Sequence, residues 1–355
     1  MSLRKKYIEA VTRKRSDFIP FYFGLTPPQV ETYRAKYGDN TSYPDKFNFP
    51  IRGIGPKYTG EKPENKYREY LNSWKSEKNL QVGIFGEVSV KAEDSHFAHK
   101  EAMMGNFTEI EQFASYPYPD PEKDFNWNYF EKKVKNIHEQ GLAASGGLAC
   151  TIFEIGWYLR GMEQMLMDMI MNQELLEFHL DKIKDIRCVQ AKLMTASGID
   201  ILHLGDDIST QRGMMMNPDN WRQFFKHRLA EVINTARKEN PDLIIKYHTD
   251  GNPEQVIPDL IEIGIDILNP IQPECLDPEW VKSEYGDSLT LDGTLGTQSV
   301  FPFGTPEDVK KQCLKRIDKC GYNGGLVLAP SHVIEPEVPW ENIEAFVSTV
   351  KEYNG

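Results

Sequence analysis

The sequence predicts an α/β protein built as a (β/α)8 TIM barrel with an irregular N-terminal elaboration, and three observations carry the prediction. From about residue 140 onward, apolar runs of strand length alternate with amphipathic runs of helix length. The strand-length runs are apolar at consecutive positions, as strands buried on both faces are, which implies a parallel sheet. Counting FIPFYFG near the N-terminus, at least seven strands, mostly separated by helices, fit one closed sheet most simply, since helices are the natural right-handed crossovers and closure leaves no edge. A doubly wound open sheet competes, but no GxGxxG turn follows the first strand to support it. Residues 1–355 read as a single domain, with 39–135 as an irregular insertion that covers the barrel.

Residues 2–14 read as a short helix and Phe18 to Gly24 (FIPFYFG) as a buried strand. PPQVETYRAKYG reads as a helix opened by proline and ended by Gly38. The insertion carries few periodic signals, apart from short strands or hairpins at FPIRGIGPKY and NLQVGIFGEVSV. Then LAASGGLAC is a strand, followed by two helices over WYLRGMEQMLMDMIM and QELLEFHLDKIKDIRCVQAKLMTAS. DILHLGDD is a strand, and the helix after it takes Asn217 as N-cap and Pro218 at its first position. LIIKYHTDG, DILNPIQPE, SLTLDG and GLVLAPSH are the remaining strands, and WENIEAFVSTVKEY is the closing helix.

Composition removes several function classes. The net charge of −12, from 41 Lys+Arg against 53 Asp+Glu, lacks the phosphate-neutralising surface that nucleic-acid binding needs. With 40% hydrophobic and 26% charged residues the chain can bury a large core, which excludes disorder. Five cysteines, odd in number and without a CxxC, indicate neither a disulfide framework nor a structural zinc cluster. The N-terminal stretch is basic but has no apolar core, and MLMDMIM is short and interrupted by Asp168, so neither export nor a membrane span is expected. The expectation is a cytoplasmic protein.

In a barrel the chemistry sits where the strands end. Five successive strands end in polar or titratable residues: Asp206-Asp207, His248-Thr249-Asp250, Gln272-Pro273-Glu274, Asp292 and Ser331-His332. A random surface would spread such groups over both rims, so their concentration on one argues for an enzyme. His248 and Asp250 are two residues apart and point to the same side of an extended strand end. Adding His332 gives two imidazoles and a carboxylate, a donor set for zinc or a similar divalent ion with an open position. A hydrogen-bonded His–Asp pair without metal fits the same spacing. Of the adjacent Asp206 and Asp207, only one can face the barrel axis. Glu154 and Glu274 are further rim carboxylates, and Gln211, Gln272 and Asp292 are candidate substrate contacts.

The runs GDDISTQRGMMMNPDNWRQFFKHRL, KYHTDGNPEQVIPDLIEIGIDILNPIQPECLDPE and GGLVLAPSHVIEPEVPWENI resemble the uroporphyrinogen decarboxylase superfamily, which also holds corrinoid-dependent methyltransferases. The resemblance covers roughly residues 140–355 and implies a (β/α)8 barrel with a cleft at the strand C-termini. Two departures matter. The decarboxylase branch carries an arginine-rich segment after its first strand, whereas this chain has FYFGLTPPQVETYR. The methyltransferase branch carries an HxCG element and a later cysteine, whereas this chain has His248-Thr249-Asp250-Gly251 and Pro330-Ser331-His332. The sulfurs have become harder donors, which suits polarisation of an ether or amine better than thiolate alkylation.

The resemblance therefore implies metal-assisted methyl transfer from a small methylated substrate to a corrinoid protein or thiol. His248, Asp250 and His332 would hold the metal, most simply zinc. Asp206 or Asp207, with Gln211, would orient the substrate, and Glu154 or Glu274 would give acid or base assistance. The alternatives are a metal-free carboxy-lyase acting on a tetrapyrrole or related carboxylate, and a corrinoid or tetrapyrrole binder without turnover. Homo-oligomerisation stays open.

Overall fold

The computed structural model describes residues 1–15, 17–71, 80–91 and 98–355. Its centre is a seven-stranded sheet in which β1 (Ile51–Ile54), β2 (Ala143–Ala149), β3 (Ile201–Gly205), β4 (Ile244–His248), β5 (Ile267–Asn269), β6 (Thr290–Asp292) and β7 (Leu326–Val327) follow one another in space as in sequence. All neighbours are parallel. This order is what repeated right-handed crossovers generate.

The sheet is strongly curled. Ala143, Ile201, Ile244, Ile267 and Val327, drawn from β2 through to β7, share one buried cluster with Tyr7 and Val11. Residues so far apart in strand order meet only across a curved interior. The helix Leu3–Val11 thereby plugs the mouth at the strand N-termini. Thr290 Oγ1 donates to the Val11 carbonyl at 2.7 Å, Gly325 N donates to that of Ala10 at 2.9 Å, and Arg4 pairs with Asp200 at 2.8 Å.

Closure is where the prediction departs from the molecule. The expected strand at Phe18–Gly24 lies beside β7 but gives only isolated bridges, Phe21 with Leu328 and Leu25 with Ile334. Pro20 inside it has no amide to donate, although its carbonyl accepts from Leu328 N at 2.8 Å. Among the described residues no ladder joins this segment to β1, so the sheet is an open, curled half-barrel with a seam and not a closed eight-stranded barrel. Aromatic side chains fill the seam: the Phe49 ring lies 5.6 Å from Phe21 and 4.9 Å from Phe23, and Phe346 packs on both from the other side. Each is almost fully buried, a contribution of about 2 kcal/mol per ring.

The region read as an insertion does more than cover. It supplies β1 itself, and it adds a small antiparallel sheet of Leu80–Val82, Val88–Lys91 and Ala98–Glu101. Tyr67, Phe85, Phe113 and Tyr116 of this region form a second cluster with Leu159 and Ile183, which belong to helices Phe153–Arg160 and Gln173–Ala196. Among the described residues no helix is long and apolar enough to cross a membrane.

Candidate active site

The polar strand ends converge on one rim. Gly205 of β3 is the register partner of His248 on β4, and a Cβ at Gly205 would lie 2.8 Å from both the Cβ and the carbonyl oxygen of His248. Glycine there lets the His248 backbone approach. Gly251, at φ +88°, would press a Cβ to 2.5 Å from the Thr210 backbone, so the turn after Asp250 also requires glycine. Ser209 Oγ donates to the Asp250 carbonyl at 2.7 Å, and Asp250 N donates to Asp207 Oδ1 at 2.9 Å. These contacts fix the spacing between the two strand ends.

Alternation separates the adjacent aspartates. Asp206 turns inward and accepts from the N–H groups of Ile152, at 3.0 Å, and Glu154, at 3.0 Å, where helix Phe153–Arg160 begins. Burial, followed by the neighbouring Glu154 charge, raises its carboxyl to about 7 against the pull of those donors. Asp207 turns to the rim. Its carboxylate, His248 and Asp250 place one ligand atom each within 4.8 Å of one another, and all three residues are half-buried. His248 Nε2 stands 3.7 Å from Asp207 Oδ1 and 3.8 Å from Asp250 Oδ1. Those separations are too long for hydrogen bonds, but they approach the ~3.3 Å between ligands on a tetrahedral divalent ion.

Carboxylates crowd this rim. Burial raises the Glu154 carboxyl and the Asp207 charge adds to the effect, against a 2.7 Å hydrogen bond donated by Tyr158. Burial and Asp207 likewise raise Asp250, while His248 and His332 oppose the shift.

Two cavities adjoin the cluster. One of about 590 Å³ occupies the lumen below the rim and is walled by Tyr22, Phe49, Arg52, His203, Lys246 and His248, among others. The second, of about 420 Å³, lies on the rim against Gln211, Asp250, Gln272, Gln298, Glu335 and Glu337. Ser331, His332 and Val333 line both.

The structure thus brings Asp207, rather than His332, together with His248 and Asp250; His332 stands between the cavities. Gln272 Oε1 accepts from Gly251 N at 3.3 Å. Glu274 accepts from Gln298 N at 3.2 Å, and its other carboxylate oxygen is buried without a hydrogen-bond partner. Asp292 is fully buried below the rim, where Tyr22 donates to it at 2.9 Å and Lys246 at 2.6 Å. Sequence reasoning missed Tyr22, His203, Lys246 and Asn269. A signal existed for Lys246: a lysine inside the apolar run LIIKY, two residues before His248 and so on the same face of the strand.

A family model described as uroporphyrinogen decarboxylase matches residues 97–353. The chain is 26% identical over 185 residues to a methylcobamide:CoM methyltransferase, MtaA, of Methanosarcina barkeri, covering 52% of this chain and 51% of that protein. It is 24% identical over 179 residues to a uroporphyrinogen decarboxylase of Trichodesmium erythraeum, covering 50% of this chain and 48% of that one. The chain therefore spans about half the length of these curated relatives. A solved structure described as a methyltransferase from Methanosarcina mazei superposes over 100% of both chains with a TM-score of 0.69 at 17% identity, a likeness of fold. The chain belongs to the uroporphyrinogen decarboxylase family, within the superfamily that also holds corrinoid-linked methyltransferases.

Proposed function

We propose that this member of the uroporphyrinogen decarboxylase family transfers a methyl group from a small methylated substrate to a corrinoid protein or thiol, with a divalent cation, in the first instance zinc, held by Asp207, His248 and Asp250. The convergence of those three ligand atoms carries the reading. Two carboxylates and an imidazole are a fitting donor set, and they leave coordination positions for a substrate. When bound, such an ion supplies Lewis acidity toward the heteroatom that carries the methyl group. A relative named for methyl transfer between methylcobamide and CoM supports the reaction class.

The protein's own groups have distinct tasks in this reading. Asp206 ties the β3 end to the start of helix Phe153–Arg160. Glu154, whose Oε2 accepts from Asp207 N at 3.4 Å, is a protonatable carboxyl beside the cluster and gives acid or base assistance. Gln211 and Gln272 present amides to the rim cavity and orient polar groups there. His332 lines both cavities, at the junction where a methyl donor in one meets an acceptor in the other.

Cation supply argues for a small substrate. Among the described residues, Arg52 and Lys246 are the lysine and arginine residues lining the two cavities, and they already pair with Asp45 and Asp292. A tetrapyrrole with many carboxylates would leave most of them without a cation, at several kcal/mol for each one buried. The second reading is a carboxy-lyase acting on a small carboxylate, favoured by the position of Arg52 and Lys246 on the lumen wall.

The test is to supply the zinc-loaded chain with reduced cobalamin and a panel of methyl ethers, methylamines and methyl thioethers, following methylcobalamin by its absorption spectrum. Metal-dependent methylation that falls at least ~100-fold in His248→Ala is expected. Release of CO2 from small carboxylates, with no methylation from any donor, would overturn the proposal in favour of the carboxy-lyase.

A further inference from the structure

The lumen below the rim holds a hydrogen-bonded chain whose donor and acceptor count has one solution. Lys246 Nζ donates to Tyr22 Oη at 2.8 Å and to Asp292 Oδ2 at 2.6 Å, and an ammonium can only donate. Tyr22 has one hydroxyl proton, and an ionised Asp292 can only accept, so the proton points to Asp292, 2.9 Å away. Burial and the Asp292 charge keep that phenol protonated. The Tyr22 lone pairs are left to accept from Lys246 and from Asn269 Nδ2, which lies 3.3 Å away. The Asn269 amide nitrogen therefore faces Tyr22, and its carbonyl oxygen faces His248 Nδ1 at 2.8 Å. Turning the amide over would set oxygen against oxygen at Tyr22.

An amide carbonyl accepts and cannot donate, so His248 Nδ1 must carry a proton. In the neutral ring that metal binding requires, the lone pair then sits on Nε2, the atom that faces Asp207 and Asp250. We propose that the Lys246–Asp292 ion pair, acting through Tyr22 and Asn269, is a positioning network that holds His248 as its Nδ1–H tautomer with the Nε2 lone pair aimed at the cation site. The proposal rests on the metal reading for its purpose but not for its geometry. None of the four residues belongs to the three-ligand cluster, and the network sets which nitrogen the cluster can use.

The test reads the tautomer directly, without metal. In the full chain labelled with ¹⁵N-histidine and kept free of divalent ions, long-range ¹H–¹⁵N spectra distinguish a protonated from an unprotonated ring nitrogen, and His248→Gln identifies the signals. The expected result is a protonated Nδ1 and an unprotonated Nε2 in the wild type, with that preference lost in Asn269→Leu and restored in Asn269→Asp, whose carboxylate also accepts. Zinc affinity should fall ~10- to 100-fold in Asn269→Leu and stay within ~3-fold of wild type in Asn269→Asp. Tyr22→Phe removes one oxygen and probes the same chain should Asn269→Leu fail to fold; it should weaken zinc binding and mix the tautomers. A neutral wild-type His248 ring protonated on Nε2 in place of Nδ1, or tautomers and affinity unchanged in Tyr22→Phe and Asn269→Leu, would overturn the network while leaving the metal site standing. The predicted tautomer in a chain that binds no zinc would instead overturn the metal reading and uphold the network.

Discussion

Two layers of the half-barrel interior treat charge in opposite ways. In the lower layer Lys246 and Asp292 are almost fully buried and satisfy one another, with Tyr22 and Asn269 completing the donors and acceptors. In the upper layer Asp207 and Asp250 flank His248, and Glu154 and Asp206 lie beside them; among the described residues no lysine or arginine is bonded to any of these four carboxyls, and three of the four are pushed up. The charges of the lower layer are paired within it, and Asn269 joins it to His248 Nδ1 above. The upper layer is short of positive charge, and that shortage is what a divalent cation would relieve. A fully paired network fixes geometry, whereas an unpaired one marks where something binds.

The contrast can be broken most forcefully from below. Lys246→Met strands the Asp292 carboxylate in the interior and should cost about 3–5 kcal/mol in denaturant unfolding, while adding Asp292→Leu to it should recover most of the loss. If the single and double variants were equally destabilised, the lower layer would not be a self-contained pair. From above the sign reverses. Zinc at 100 times its dissociation constant should stabilise the wild type by about 2.7 kcal/mol, read as a rise in melting temperature, and should leave Asp250→Ala unmoved.

Proton occupancy gives a finer probe. The folded Asp206 carboxyl, at about 7, lies above its ordinary value of 3.8. Its contribution to stability is therefore full below about pH 4 and is lost as pH rises through 7. In metal-free protein, Asp206→Asn should gain about 2 kcal/mol relative to wild type between pH 5.5 and 7.5, measured by urea unfolding at each pH. A constant difference across that range would remove Asp206 from the crowded layer. The smallest effect is expected at His332, which stands between the cavities and outside the cluster. His332→Ala should change zinc affinity by less than about 3-fold, as seen by competition with a chelator, an interaction difference below about 1 kcal/mol.

Much of the upper layer was legible in the sequence. Strand ends finishing in GDD and HTDG placed carboxylates and an imidazole on one rim, and alternation required Asp206 and Asp207 to diverge. Which of the two faced the rim was not legible, because it depends on the N–H groups of Ile152 and Glu154 that capture Asp206 from another segment. His332 was drawn toward the metal by fold geometry; it lies near Asp250 on the wall of both cavities, and the Asp207 side chain, held by Asp250 N, converges with His248 and Asp250. The seam escaped for a related reason. Apolar FIPFYFG reads as a strand, yet Pro20 withholds an amide and aromatic packing replaces the missing ladder. Of the lower layer, Asp292 was singled out as a rim substrate contact, whereas it is buried below the rim with Tyr22 and Lys246; Tyr22 and Asn269 gave no local signal, because the four members come from four separate segments.

The most direct measurement is the divalent metal content of the purified, zinc-loaded chain after exhaustive dialysis, compared across wild type, Asp207→Asn and His332→Ala. The account predicts about one ion per chain in wild type and in His332→Ala, and none in Asp207→Asn. A wild-type chain that retains no ion, or an ion lost in His332→Ala but kept in Asp207→Asn, would contradict it.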